Sequence, residues 1–266
     1  MTALPAFDMQ GQGDTAVLLL HGIGGGRSIW SDAASGTARA LAEAGFRAVA
    51  IDLPGYGDSA AIGTPGMDGF VAAVRAVIDR IGARRTALLG HSMGGMVAQE
   101  LVARSPLGVD GLVLACTSAS FGKSDGEWQA QFVAERLAPL DAGLGMAAMA
   151  ARLVPGLVSP HAPAQALQVA QDVMARVPEA TYRAALRAIA GFDRRAALPQ
   201  VAVPTLLLAA EHDRTAPPEV MQRMAARIPG AEYLCLTQAG HIANVEAAAA
   251  FNAAVVSFLR RHFMAA

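Results

Sequence analysis

Residues 87–95 read Ala-Leu-Leu-Gly-His-Ser-Met-Gly-Gly. An apolar run that ends in Gly90-x-Ser92-x-Gly94 is a strand turning sharply into a helix, with one serine at the tip of the turn. The serine of such a turn sits in a strained backbone conformation. Side chains two positions away on either side would collide, which is why both neighbours are glycine. The helix that follows points its free N–H groups and the positive end of its dipole at the turn. A chain that must accommodate this unit is committed to strands feeding helices.

The rest of the chain keeps that rhythm. Thr15–Leu20 is apolar without alternation, the mark of a strand buried on both faces. Similar runs follow at Arg47–Ile51, 86–89, Gly111–Ala115, 203–210 and 231–236, with a further short strand at Phe7–Gln10. Between them lie helical patterns at 33–44, Met67–Ile81, 94–105, 217–227 and 245–263. Phe70, Val74, Val77 and Ile81 show the spacing of one helical face. From 121 to 195 the alternation stops and only helical patterns recur, with breaks expected at Pro139, Pro155-Gly156, Pro160, Pro163, Pro178 and Gly191. Right-handed crossovers then give an α/β fold: one mostly parallel central sheet with helices on both faces and an inserted helical segment. The expected division is 1–120 with 196–266 as the core and 121–195 as the insertion.

Hydrophobic residues make up 53% of the 266, enough for a large core, and the net charge is −1. That balance carries no basic excess for nucleic acid and no basic amphipathic stretch for a membrane surface. The apolar runs are too short to span a bilayer. Met1 to Gln10 lacks a signal-peptide pattern, and Cys116 and Cys235 make no disulfide framework, so a cytoplasmic protein is expected. Neither cysteine has partners at metal-ligand spacing; no metal and no cofactor are expected.

Sites in such sheets form at the carboxyl ends of strands. There the chain offers His21-Gly22-Ile23, then Ser92, then Glu211-His212-Asp213, then Gly240-His241. Serine, acid and histidine follow in that order. A serine hydroxyl needs a base, a histidine titrates in the right range to be one, and a carboxylate holds the imidazole in the useful tautomer. Ser92, Asp213 and His241 are the catalytic candidates. Glu211 is the alternative acid; the loop after Gly111–Ala115 offers Cys116-Thr117-Ser118 and no carboxylate. His21 and His91 are read as organisers of their glycine turns. The backbone N–H groups of Ile23 and Met93 are the candidate oxyanion donors.

These pieces resemble the α/β-hydrolase superfamily: His21-Gly22 with Trp30 downstream, Asp52-Leu53-Pro54-Gly55-Tyr56-Gly57-Asp58-Ser59, Gly90-His91-Ser92-Met93-Gly94-Gly95, Asp213 and Gly240-His241. The resemblance implies the α/β-hydrolase fold, with 121–195 as a helical cap over the site and the 52–59 loop structural. Residues 209–218 and 241–246 look most like 3-oxoadipate enol-lactonases, which open a small lactone bearing a carboxylate; the lead-in before residue 15 is shorter than theirs. A small-molecule ester or lactone is the implied substrate, cleaved through an acyl-enzyme on Ser92. Trp128, Arg136, Arg183 and Arg187 are the candidate substrate contacts in the insertion. Arg183 and Arg187 share a helix face, as a carboxylate fork requires, although a solvated face explains the insertion's arginines as well. Phe132, Met149 and Leu153 fit an apolar pocket or plain packing equally.

Three rival readings share parts of this pattern. Gly22-Ile23-Gly24-Gly25-Gly26 imitates a dinucleotide fingerprint, but the third small residue it needs falls on Arg27 or Ile29. A carbon–carbon bond hydrolase of the meta-cleavage-product type uses the same triad. A ligand-binding homologue without catalysis keeps the fold alone. Serine at position 92 speaks against a dehalogenase, which needs a carboxylate there.

Overall fold

The computed structural model describes residues 4–61, 66–122 and 126–264; the first residues of the lead-in, and 123–125 of the insertion, lie outside them. In chain order the elements are β1 (Phe7–Gln10), β2 (Thr15–Leu20), α1 (Ser28–Ser31), α2 (Thr37–Glu43), β3 (Arg47–Ile51), α3 (Met67–Ile81), β4 (Arg85–His91), α4 (Met93–Arg104) and β5 (Gly111–Ala115). The insertion supplies α5 (Glu127–Asp141), α6 (Met146–Leu153), α7 (Ala164–Ala175) and α8 (Glu179–Ala190). The core resumes with β6 (Thr205–Ala210), α9 (Pro218–Ala225), β7 (Glu232–Leu236), α10 (Ala243–Glu246) and α11 (Ala248–Phe263).

The sheet has seven strands in the order β1-β3-β2-β4-β5-β6-β7 among the described residues. Only β1 runs antiparallel, on β3; every other pair is parallel. β2, β5 and β6 are buried along their whole length, as unbroken apolar runs require of strands with helices on both faces. From β2 the chain goes outward to β3, then returns to place β4 on β2's other side. Order reverses there, and a crevice opens at the carboxyl ends of β2 and β4. The register aligns those ends: Leu20 pairs with Gly90, His91 with Ala115, and Ala115 with Leu208. His21, Ser92 and Cys116 therefore leave the sheet at one level.

Three local differences from the sequence reading have simple causes. The helix expected from residue 33 starts at Thr37, after a separate short helix, α1. Gly36 stands between them at φ +55°, a left-handed turn that α-helix cannot continue through. The final helix is split after Glu246, where Ala247 is not helical. Pro139 does not break its helix: it lies near the end of α5, which runs on to Asp141. The insertion leaves and rejoins the core through a single neck, where Phe121 N–H donates to Phe192 O at 2.9 Å and Arg194 N–H to Ala119 O at 2.7 Å. No helix among the described residues is long and apolar enough to cross a membrane.

The glycines of the turn are sterically required. A Cβ on Gly94 would drive into the carbonyl oxygen of Leu20, and one on Gly90 into that of Gly94. Both obstacles are backbone and have no rotamer to escape into. Gly94→Ala is expected to cost about 3 kcal/mol or more, the upper part of the overpacking range. A urea midpoint unchanged from wild type contradicts this.

Candidate active site

Ser92 sits between β4 and α4 with φ +51° and ψ −118°, a conformation non-glycine residues adopt only when the surroundings over-determine it. Here the surroundings do. Ser92 N–H donates to Ala115 O at 3.0 Å, and Thr117 Oγ1 donates to Ser92 O at 2.8 Å. The side chain is pushed out of the turn towards the loop that follows β7. There His241 Nε2 lies 3.0 Å from Ser92 Oγ, and His241 Nδ1 lies 2.8 Å from Asp213 Oδ2. Asp213 Oδ1 accepts two backbone N–H bonds, from Thr215 at 2.7 Å and Ala216 at 2.9 Å. An acceptor-only carboxylate against Nδ1 selects the Nδ1–H tautomer and leaves Nε2 free to accept the serine proton.

The electrostatics follow from burial. Asp213 and His241 are 3% and 6% exposed, so water screens their interaction little. Burial opposes the charged imidazole, but the charge and hydrogen bond of Asp213, with Glu246 behind, outweigh it and hold the His241 pKa above its ordinary value. Burial likewise opposes the Asp213 carboxylate; His241 and the two N–H donors outweigh that, and its pKa is lowered. His91 is different. Burial, then the neighbouring His241 charge, depress it to about 4, so it is neutral and donates from Nε2 to His241 O at 2.7 Å. Cys116, at φ +46° after β5, is buried; burial first and the Asp213 charge second push its thiol well up.

The N–H groups of Ile23 and Met93 donate to no partner among the described residues, and both residues line the cavity that Ser92 faces. The loop that carries Ile23 is built from buried polar contacts. His21 Nδ1 donates to Gly22 O at 2.8 Å and its Nε2 accepts Leu53 N–H at 3.1 Å. Burial lowers its pKa, which keeps this neutral arrangement. Tyr56 Oη donates to Ile23 O at 3.0 Å. Arg27 ties the same loop to Asp52: its N–H donates to Oδ1 at 2.7 Å and its guanidinium pairs with the same carboxylate. Asp8 and Asp58 hold the outer edge of that guanidinium. Tyr56 lies in the 52–59 segment already read as structural, and Arg27 carries no motif of its own. The signal for them is position, in loops that follow adjacent parallel strands and so must touch.

The cavity has a volume of about 150 Å³ and is mostly apolar. Met96 and Thr117 line it from the core with Ser92, and Phe132, Leu153, Met174 and Tyr182 come from the cap. Of the four cap candidates, Arg136 lines the cavity and the others do not. Arg136 packs over the Phe132 ring at 5.1 Å and has no carboxylate partner among the described residues. Arg183 is paired with Asp141 at 2.6 Å and Glu179 at 2.8 Å, and Arg187 is exposed. Trp128 is one ring removed from the cavity, stacked on Phe132 at 5.1 Å. Met149 lines a second pocket with Glu135 and Arg152, while Phe132, Arg136 and Leu153 line both.

Comparison with known proteins bears on the family and the fold. A 2-hydroxy-6-oxononadienedioate/2-hydroxy-6-oxononatrienedioate hydrolase of a Pseudomonas species is 30% identical over 256 residues, covering 94% of this chain and 90% of that protein. Among solved structures, the enol-lactonase from Burkholderia xenovorans LB400 superposes with a TM-score of 0.83 at 26% identity, over 96% of this chain and 95% of that one. A thermophilic esterase from Thermogutta terrifontis, solved with malate bound, gives 0.83 at 28% identity, over 97% and 93%. Residues 15–248 match the family model of the alpha/beta hydrolase fold, and with a seven-stranded sheet, a serine turn and an inserted helical cap, the chain belongs to that family of hydrolases.

Proposed function

We propose that this protein is a serine hydrolase of small carboxylic esters or lactones that works through an acyl-enzyme on Ser92. The observation that carries the reading is the unbroken line Ser92 Oγ, His241 Nε2, His241 Nδ1, Asp213 Oδ2, with steps of 3.0 and 2.8 Å. In the first half-reaction Ser92 Oγ attacks the carbonyl carbon and its proton passes to His241 Nε2. The former carbonyl oxygen takes the negative charge and meets the N–H groups of Met93 and Ile23, each worth roughly 3 kcal/mol to the transition state. Collapse breaks the bond to the leaving oxygen, which receives the proton from His241. Water then gives a proton to His241 and attacks the acyl carbon; collapse breaks the bond to Ser92 Oγ, which takes that proton back from His241, and the acid is released. In a lactone the leaving oxygen stays on the acyl group.

In this reading residues 121–195 act as the lid. Its apolar wall limits the acyl group in size, and Arg136 is the cation that a carboxylate on the substrate would meet. Similarity to a dioate hydrolase and to an esterase holding malate supports that role. A second reading, hydrolysis of a carbon–carbon bond in a dienone ring-cleavage product, is favoured by the same 30% identical relative.

One panel separates them: a nitrophenyl acetate, a half-ester of a dicarboxylic acid, a carboxylate-bearing enol-lactone and a dienone ring-cleavage product. Ester or lactone turnover is expected, with a burst of nitrophenol and an acyl adduct on the Ser92 peptide by mass spectrometry. Arg136→Gln is expected to raise KM for the carboxylate-bearing substrates by about 10- to 100-fold, one charged hydrogen bond, and to leave the neutral ester unchanged. Turnover of the dienone alone transfers the assignment to the second reading. Tight binding without turnover of any compound ends both.

A further inference from the structure

One carboxylate beneath the His241 loop takes no part in the proton relay. Glu246 Oε2 accepts Gly240 N–H at 2.9 Å, and Oε1 accepts Ile242 N–H at 3.0 Å, so the side chain brackets His241 on both sides. Oε2 also accepts Ser159 N–H at 2.7 Å. Ser159 belongs to the cap, in the turn before α7, and the same turn grips the loop at further points. His241 N–H donates to Leu157 O at 2.7 Å, and Ser159 Oγ donates to Gln238 O at 2.6 Å. Gly240 lies so close to this turn that a Cβ would stand 2.6 Å from Ser159 N and 2.8 Å from Leu157 O. Gln238, just before, is held at φ +57°.

A carboxylate collecting three N–H bonds, one of them from a different part of the fold, is a built feature and not a solvated charge. Residues 240 and 242 spend their N–H groups on Glu246 and residue 241 spends its own on Leu157 O of the cap turn, which leaves the imidazole little freedom except about its own side-chain bonds. We propose that Glu246 is the positioning residue that sets the His241 imidazole against Ser92, and that it ties this setting to the docked cap. The proposal rests on the reading of His241 as the base. Without Glu246, the Gly240, Ile242 and Ser159 N–H groups lose their acceptor and the cap turn loses a tie to the loop.

The charge acts in the same direction as the geometry. Burial opposes a charged His241, Asp213 favours it most, and Glu246 adds to that. The other groups facing the imidazole are neutral: Ser92, His91 from the end of β4, and Cys116 beside Asp213 from the end of β5. Glu211, nearer the loop's start, accepts Gln238 N–H.

The test uses Glu246→Gln, Glu246→Asp and Ser159→Ala in the full-length enzyme, with Ser92→Ala as reference. Glu246→Gln is expected to lower kcat by about 10- to 100-fold, the cost of a misplaced catalytic group, with KM nearly unchanged. Its acid limb of kcat/KM is expected to move to lower pH, and the His241 imidazole titration followed by NMR to move with it. Glu246→Asp keeps the charge and shortens the reach, so it is expected to hold the acid limb in place and still lose kcat. Ser159→Ala keeps the N–H bond to Glu246 and is expected to leave the acid limb where it is. Wild-type kcat and acid limb in Glu246→Gln overturn the proposal; should that variant fail to fold, wild-type kcat in Glu246→Asp does so. Retained turnover in Ser92→Ala overturns the serine mechanism instead, and the NMR titration still reports on Glu246.

Discussion

Ser92→Ala is expected to lower kcat for the best ester or lactone substrate by about 10⁴- to 10⁶-fold. The variant keeps a Cβ at φ +51°, so the strained turn is no worse than before, and the bonds that hold it are Ser92 N–H to Ala115 O and Thr117 Oγ1 to Ser92 O. Backbone and Thr117 atoms supply both, and alanine preserves them. The thermal midpoint by circular dichroism is therefore expected to stay near wild type. On the proposed mechanism this removes the nucleophile and leaves the Ile23 and Met93 N–H groups to polarise a carbonyl, so a residual rate above water is expected. His241→Ala is expected to cost as much, and the double variant little more than either, because the two groups act as one unit. Turnover within tenfold of wild type in either single variant contradicts the serine mechanism, and additive losses in the double variant contradict the coupling.

Asp213→Asn is expected to cost about 10⁴-fold in kcat with the fold retained. The reason lies in the two N–H groups on Oδ1. Thr215 and Ala216 need an acceptor there, so the asparagine oxygen is drawn to that place and the NH₂ group takes the position of Oδ2, against His241 Nδ1. A donor facing Nδ1 forces the proton to Nε2, where it meets the Ser92 hydroxyl and blocks proton uptake. The pH dependence follows in sign. In the proposed mechanism His241 must be neutral to act, and its pKa lies above the ordinary imidazole value, so wild-type kcat/KM is expected to fall as pH drops through a point above that ordinary value. Removing the carboxylate lowers that pKa and moves the acid limb to lower pH. A kcat within tenfold of wild type, or an acid limb that stays in place, contradicts the role given to Asp213.

Much of the core is written along the chain because it depends on neighbours in sequence. The apolar run of β2 can only be a doubly covered strand, and the glycines flanking Ser92 can only serve a sharp turn. Once the strands are parallel, every residue that follows one of them is delivered to a common edge, so Ser92, Asp213 and His241 stand out as candidates before any distance is known. The cap obeys a different rule. Each of its helices buries a stripe of side chains, and a helical period marks that stripe without saying what it packs against. Arg136, Arg183 and Arg187 are alike in sequence, yet Arg136 lines the cavity, Arg183 is spent on Asp141 and Glu179, and Arg187 is exposed. Glu246 closes the 241–246 stretch that carries the resemblance, but its task shows only when Ser159, far away in the chain, brings its N–H to it. Local chemistry thus settled the strands, the turn and the order of the reactive groups. Which surfaces of the cap meet the core was settled only by folding, since that choice rests on contacts between segments whose separation along the chain carries no signal.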